Sequence, residues 1–478
     1  MFRRLPAIMG RLSVLLFVAM LSFPGVPGAL AEEAVPAAAE APSSDTVVAR
    51  KTFETLSETS AKCASCHEKD NHGLYQQWGR SKHYGANVGC YECHRAEPGD
   101  ADAVRHKDAM ISILVSPKDC GRCHEKEYKQ FETSNHAHAA DMAGSPSYHM
   151  GHVVQGDGSA EGNPASMQGC TQCHGSVVKV AASGKLDPAT WPNSGIGRVN
   201  PDGSKGACSA CHQRHEFSIG QARRPESCGK CHRGPAHPQM EIYSESKHGI
   251  NFIANADRMN LDRPKWIPGE DYDSGPTCST CHMSATRSLP LTHNTGERIS
   301  WTLRPPVSVK VDAHEQAEGK QDVVSWEDRR DTMQEVCMSC HSERLVENFY
   351  KQYDAVVMLY NSKFAEPGVS LMGLLRETGL ISGREFDDTI EWTWYRLWNM
   401  AGSRARQGAA MLAPSYIQGE GLFEVSSLFY AGLLPQAREL AAKAAAAGKQ
   451  AEAARVNAFL DELLKRPEHQ WLHASAQQ

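Results

Sequence analysis

The sixteen cysteines of this chain fall without remainder into eight copies of one five-residue pattern. They read Cys63-x-x-Cys66-His67, Cys90-x-x-Cys93-His94, Cys120-x-x-Cys123-His124 and Cys170-x-x-Cys173-His174, and continue as Cys208-x-x-Cys211-His212, Cys228-x-x-Cys231-His232, Cys278-x-x-Cys281-His282 and Cys337-x-x-Cys340-His341. C-x-x-C-H is the attachment signature of c-type haem. Its two thiols are spaced to meet the two vinyl groups of a porphyrin, and the imidazole that follows reaches the iron from the same face. Disulfide frameworks and zinc ribbons also pair cysteines, but neither demands a histidine after every pair. The expectation is eight covalently bound haem c groups.

That density limits the fold before any periodicity is read. About 280 residues carry the eight motifs, roughly 35 per haem and far fewer than an independent domain needs. The porphyrins must therefore supply much of the core, with loops wrapped around them. A low aromatic content of 7%, with 39 glycines and 25 prolines, agrees with such a loop-rich build. Groups packed this closely read as an electron conduit. The chain is otherwise globular in composition, 41% hydrophobic and 22% charged, and its formal net charge is −6. With no long basic tract, nucleic-acid binding has no electrostatic support.

At the N-terminus Arg3, Arg4 and Arg11 precede a short apolar run from Leu12 to Phe23, and Ala29-Leu30-Ala31 forms a small-residue cleavage site. The resulting division is a signal peptide over 1–31, a linker over 32–46, an octahaem cytochrome c domain over 47–341, a helical domain over 342–465 and a tail over 466–478. The mature chain is expected to be exported to the periplasm or beyond the cell, and soluble once the signal is removed.

Eight of the 22 histidines belong to the motifs, so fourteen remain. Electron-transfer haems take a second strong axial ligand, whereas a catalytic haem keeps one face open. Candidates for the second ligand are His72, His83, His106, His136, His215, His248 and His293. Three of these share a local context, in Ser81-Lys82-His83, Ser134-Asn135-His136 and Ser246-Lys247-His248.

Beyond His341 there is no further cysteine. Leu345, Phe349, Tyr353, Val356, Val357 and Tyr360 recur at helical spacing up to Pro367 and Gly368, which are expected to end that helix. A second helix is expected over Asp387 to Met411, and two more over Gly421 to Leu434 and Pro435 to Leu464. Arg404 and Arg406 are candidate partners for haem propionates. The fold class expected is mostly α, a multihaem cytochrome c domain with little regular β structure followed by a C-terminal helical bundle.

With the eight motifs stand the runs Trp191-Pro-Asn-Ser-Gly-Ile-Gly-Arg, His212-Gln-Arg-His215-Glu-Phe-Ser, Gly234-Pro-Ala-His237-Pro-Gln, Glu297-Arg-Ile-Ser-Trp301 and Leu359-Tyr-Asn-Ser-Lys-Phe364. Together these resemble the octahaem hydroxylamine oxidoreductases and their relatives that oxidise hydrazine or reduce nitrite. The resemblance implies a mostly helical homotrimer whose catalytic haem is the fourth. Carried over, that haem sits on Cys170 and Cys173 with His174 as its axial ligand and an open distal face. It also implies an Asp-His pair in the distal pocket, and the matching positions here are Ala236 and His237, so the histidine stays as a proton acceptor and the carboxylate is gone. Oxidising members attach a tyrosine from a neighbouring subunit to the catalytic haem, and Tyr416 is the best match, ahead of Tyr430.

The resemblance implies oxidation of hydroxylamine, to nitrite or nitric oxide, with electrons passing along seven bis-histidine haems to a partner cytochrome or a quinone-linked carrier. Two alternatives stay open: a reductive member taking nitrite or hydroxylamine towards ammonium, and a non-catalytic electron carrier in which all eight irons are six-coordinate. An octahaem nitrite or tetrathionate reductase is disfavoured, because its catalytic motif ends in lysine and all eight motifs here end in histidine.

Overall fold

In a computed structural model of the chain, residues 56–143, 153 and 164–474 are described. All of them lie in one compact unit that spans Lys51–Gln478. The signal-peptide and linker readings fall on residues 1–46, outside the described residues. No helix among the described residues is long and apolar enough to cross a membrane.

The chain is mostly helical, as expected. Among the described residues the one sheet is a hairpin, Ala103–His106 against Ala109–Ser112. Up to residue 341 the helices are short and the loops long. The motif itself explains part of this. On one turn of helix, residues i, i+3 and i+4 share a face, so Cys, Cys and His of each C-x-x-C-H project to the same side. Helices Glu58–Asp70, Cys90–His94, Pro164–His174 and Cys278–His282 each carry a whole motif in this way. Close backbone packing fixes the loop after the fourth motif. Gly175 has φ +79°, and a Cβ on Gly195 would lie 2.0 Å from the Gly175 nitrogen, so neither position admits a side chain.

The C-terminal helices are longer and better filled. Their core gathers Tyr360, Phe364, Leu371, Met372, Leu375, Ile390, Leu397, Phe429, Leu433, Val456 and Leu460, all nearly or fully buried. The expected boundaries shift here. Helix Glu343–Tyr360 does not end at Pro367 and Gly368 but passes through a π-helical stretch, Asn361–Ala365, into Glu366–Glu377. The wider π turn accommodates a proline that has no N–H to give, and Pro367 is buried in the next turn. Gly368 is small because Trp394 packs on it, 2.1 Å from where a Cβ would sit. Similarly, Pro435 lies inside helix Leu434–Ala446, and the chain breaks at Gly448, whose φ is +89°.

Helix Trp326–Met338, which carries Cys337, is tied to helix Glu343–Tyr360 by Asp354. Both Arg330 terminal nitrogens donate to its carboxylate at 2.7 Å, and the Trp301 indole N–H donates at 2.8 Å. Burial works to raise the Asp354 pKa, but these donors outweigh it and hold the carboxyl below the usual range. A depressed folded-state pKa stabilises above the unfolded value and is lost as pH falls through the folded one. Stability should therefore hold steady down to about pH 4 and drop below it. Denaturant melts across pH should show that Asp354→Asn costs about 2 kcal/mol at neutral pH and flattens this acid limb.

A candidate multihaem centre

One continuous cavity of about 3840 Å³ runs through the structure. Sites for single small ligands occupy about 300–1,000 Å³, so this void is built for several large groups. Fifteen of the sixteen cysteines line it, Cys340 being the exception, and so do all eight motif histidines. No disulfide joins any of the cysteines, all of which lie among the described residues, as attachment to porphyrin requires.

Six motif histidines face a second histidine ring across this cavity. The ring centres lie 6.1 Å apart for His67 and His106, 6.1 Å for His83 and His124, and 6.0 Å for His136 and His232. They lie 6.4 Å apart for His174 and His237, 6.5 Å for His212 and His293, and 6.0 Å for His248 and His341. A seventh pairing shows in the electrostatics: the His215 pKa is pushed down to about 4 by burial and then by His94. Metal–imidazole bonds run about 2.0 Å, which sets two imidazoles on opposite faces of one iron roughly 6 Å apart, centre to centre. The donor set fits c-type haem.

Local structure aims these rings. Ser81, Ser134 and Ser246 are all buried, and each sits where one helix ends and the next turn begins. Ser81 and Ser246 cap the helices Lys82–Gly85 and Lys247–Asn255, accepting from the Tyr84 and Gly249 N–H groups. Ser134 donates to the Phe131 carbonyl. The serine thus turns the chain so that the histidine two residues on points inward. His106 is held differently, at the end of the hairpin strand. The motif histidines are oriented through their other ring nitrogen. His94 Nδ1 meets the Ser112 carbonyl at 2.8 Å, His174 Nδ1 the Ala139 carbonyl at 3.3 Å, and His282 Nδ1 the Thr295 carbonyl at 3.3 Å. Such contacts fix the tautomer and leave Nε2 free for a metal. Thr295 also reaches His136 Nδ1 through its hydroxyl, at 3.3 Å.

Two expectations shift at this point. The structure does not bring His72 to any motif histidine; it is exposed on the helix His72–Arg80, with Nδ1 3.2 Å from the Glu68 carbonyl. A lone histidine five residues beyond a motif has no local feature to aim it. His237 takes a different place from the one the resemblance implies. It faces His174 at the spacing of the other pairs, and its Nε2 is buried without a hydrogen-bond partner. Burial, then Arg304 and His174, push its pKa down to about 3. Among the described residues no second histidine ring faces His282, which is buried beside His232 and Arg298. His149 and His152 lie outside the described residues.

No sequence signal marks Arg304, although it stands only three residues beyond Trp301. It lines the cavity beside His174, His232 and His237, and its guanidinium makes no hydrogen bond or ion pair among the described residues. The side chain is open to the cavity, and enclosure by the surrounding chain, offset in part by Tyr395, lowers its pKa. Tyr416 is half-buried outside this cavity, near Glu420, Glu241, Arg404 and Glu245. Tyr430 is packed in the C-terminal core, with its hydroxyl 2.7 Å from His469 Nδ1. Arg404 donates to the Pro235 carbonyl at 3.1 Å, and Arg406 is fully buried on backbone carbonyls and the Ser308 hydroxyl, so Arg406 is no propionate partner.

Electrostatic couplings between cysteines of different motifs, three of them with a hydrogen bond, give the order of neighbours. Cys63 meets Cys90, Cys93 meets Cys120, and Cys120 meets Cys208. Cys211 meets Cys228, Cys228 meets Cys278, and Cys281 meets Cys337. The fourth motif branches off through Cys173, which contacts Cys231. By these couplings the cysteines of motifs one, two, three, five, six, seven and eight neighbour one another in turn, and those of motif four lie beside motif six.

The family "Seven times multi-haem cytochrome CxxCH" matches residues 199–388, and "Cytochrome c554 and c-prime" matches 119–197. A probable nitrite reductase-hydroxylamine oxidoreductase fusion protein of Kuenenia stuttgartiensis is 28% identical over 250 residues, covering 46% of this chain and 25% of that one. Multiheme cytochrome MtrA of Shewanella baltica is 24% identical over 221 residues, covering 46% and 55%. The chain thus spans a quarter of the first relative's length and about half of the second's. Among solved structures, a hypothetical multiheme protein superposes with a TM-score of 0.70 at 25% identity, over 82% of this chain and 98% of that one. A chain of the Kuenenia stuttgartiensis reducing HAO-like protein complex shares the fold, with a TM-score of 0.57 at 19% identity, over 85% and 86%. The matched families support covalent haem c and electron transfer, and the chain is similar to multihaem cytochromes c, a hydroxylamine-oxidoreductase fusion protein among them.

Proposed function

We propose that the chain is an exported octahaem oxidoreductase whose main task is conduction, and that His237 caps the haem of the fourth motif. The observation that supports this is the common spacing of the facing rings, 6.0 to 6.5 Å, in which His174 and His237 are no exception. The axial pairs are then His67 with His106, His94 with His215, His124 with His83, His174 with His237, His212 with His293, His232 with His136, and His341 with His248. Bound haem iron supplies reversible one-electron transfer between such pairs. The protein's own part is to hold each imidazole neutral, fix its tautomer and exclude water. Motif four, to one side of that order of neighbours, is then a terminus at which electrons enter or leave, and a cytochrome or quinone-linked carrier would serve motif one or motif eight.

A second reading is supported by Arg304, an uncompensated cation beside the fourth motif, and by the nitrogen-compound names of the relatives. In it, His237 leaves the iron and acts as a proton acceptor or donor, while Arg304 holds a small oxyanion by charge-assisted hydrogen bonds. Hydroxylamine oxidation and nitrite reduction are the two directions of that chemistry. The oxidising direction needs a neighbouring subunit, because Tyr416 stands outside its own chain's cavity. Mass spectrometry of the peptide bearing Cys170 and Cys173 tests for a tyrosine adduct.

The loaded protein should hold eight haems by pyridine haemochrome and intact mass. Its EPR spectrum should show low-spin signals from the fourth haem, unchanged by nitrite or hydroxylamine. The haem of the seventh motif, whose His282 faces no second ring among the described residues, is expected to be high spin in its own right; a further high-spin signal that either compound abolishes and that His237→Ala leaves unchanged would overturn the capped assignment and favour the second reading.

A further inference from the structure

Away from the haem cavity, the connection between helices Glu366–Glu377 and Thr389–Tyr395 gathers three carboxylates, from Asp387, Asp388 and Glu391, whose oxygens lie within 4.8 Å of one another. Two are at or near the surface. The third is not: the Glu391 side chain is 6% exposed, and while Oε1 accepts from Arg376 at 2.9 Å, Oε2 is buried with no partner at all. A buried carboxylate oxygen without a donor is costly, and two further carboxylates lie beside it. Arg376, with a side chain 48% exposed, offsets one charge of the three.

We propose that this turn is a calcium site. Ca²⁺ binds six to eight oxygens at about 2.3–2.6 Å. Oxygens on one such ion are at most about 5 Å apart, and this cluster meets that limit. The turn also supplies an adjacent neutral oxygen, for the Ser382 hydroxyl lies 2.8 Å from Asp387. Waters would complete the shell at the exposed side. Mg²⁺ suits the place less, since it demands an octahedron at about 2.0–2.1 Å and gives up water reluctantly. The backbone already bends for the purpose, with the Ser382 N–H donating to Asp388 at 3.1 Å. The bound ion would tie the turn at Asp387 and Asp388 to the helix Thr389–Tyr395 through Glu391, whose other oxygen already pairs with Arg376.

The test uses the full haem-loaded chain, stripped with chelator and then titrated with CaCl₂ by calorimetry and thermal melting. Expected are a single site per chain with a dissociation constant between about 10⁻⁶ and 10⁻³ M and a melting temperature that rises with calcium. Asp387→Asn and Asp388→Asn should each weaken binding by roughly tenfold or more, while keeping the wild-type haem spectrum and melting temperature in chelator. Mg²⁺ should give a clearly smaller rise. The proposal is overturned if wild type shows neither heat nor a rise in melting temperature. It is equally overturned if both variants respond to calcium as wild type does, which would place the ion elsewhere, for instance on propionates.

Discussion

Replacing His237 with alanine should turn the haem of the fourth motif from low spin to high spin and leave the spectra of the others unchanged. The ring it removes stands 6.4 Å from His174, with Nε2 buried and unpartnered, so the vacated face has no substitute donor. Added imidazole should restore the low-spin signal. The same operation at His83 also opens an iron, opposite His124, but there the contrast becomes informative. The face opened at the fourth motif is lined by the uncompensated Arg304 guanidinium, so nitrite should bind His237→Ala more tightly than His83→Ala. A charge-assisted hydrogen bond is worth about 1.5–3 kcal/mol, hence Arg304→Gln in the His237→Ala background should weaken nitrite binding roughly tenfold or more. Optical titration and EPR measure all three. If wild type already shows the fourth haem's high-spin signal and His237→Ala does not change it, His237 is no ligand, and the fourth haem is open as the family resemblance implies.

The cofactor class is legible because C-x-x-C-H is a local pattern with one chemical meaning; no fold needs to be known to read it. The S-x-H contexts are legible for a related reason. A serine that caps the next turn sets the direction of the histidine two residues on, and the three that share the context do face motif histidines. His72 departs from expectation because its neighbours carry no such device. His237 takes its expected role from analogy, and analogy transfers identity of position rather than distance across a void. Arg304 is invisible in sequence because its significance is a missing partner, which depends on folds of the chain about 70 to 130 residues away. In the C-terminal helices, periodicity locates the buried faces correctly, as Tyr353, Val357 and Tyr360 show. Pro367 looks like a stop and Pro435 like a helix start in the sequence, yet a π turn precedes each one and removes the demand for its missing N–H.

Arg406→Ala should cost on the order of 3–5 kcal/mol of stability. Arg406 is wholly buried and pairs with no carboxylate. Its Nε donates to the Gly402 carbonyl at 2.8 Å, and Nη1 donates to the Pro305 carbonyl at 2.9 Å and the Ser308 hydroxyl at 2.7 Å. Its guanidinium also lies over the Tyr360 ring, 4.2 Å from the centroid. Alanine would remove the guanidinium from these three acceptors and from the Trp398 carbonyl, 3.4 Å from Nη2, and leave a void against Tyr360. Lysine carries the charge but has no fork to reach acceptors on both segments, so Arg406→Lys should recover less than half of the loss. The consequence reaches the cavity, because Pro305 directly follows Arg304, which lines it beside His174 and His237. Guanidinium unfolding followed by tryptophan fluorescence should show the stability loss, and the fourth haem's EPR signal should broaden while those of motifs one to three stay sharp. Loss of stability with an unaltered fourth-haem signal would mean that the helix clamps the loop without setting the site, and the link drawn between Arg406 and Arg304 would fail.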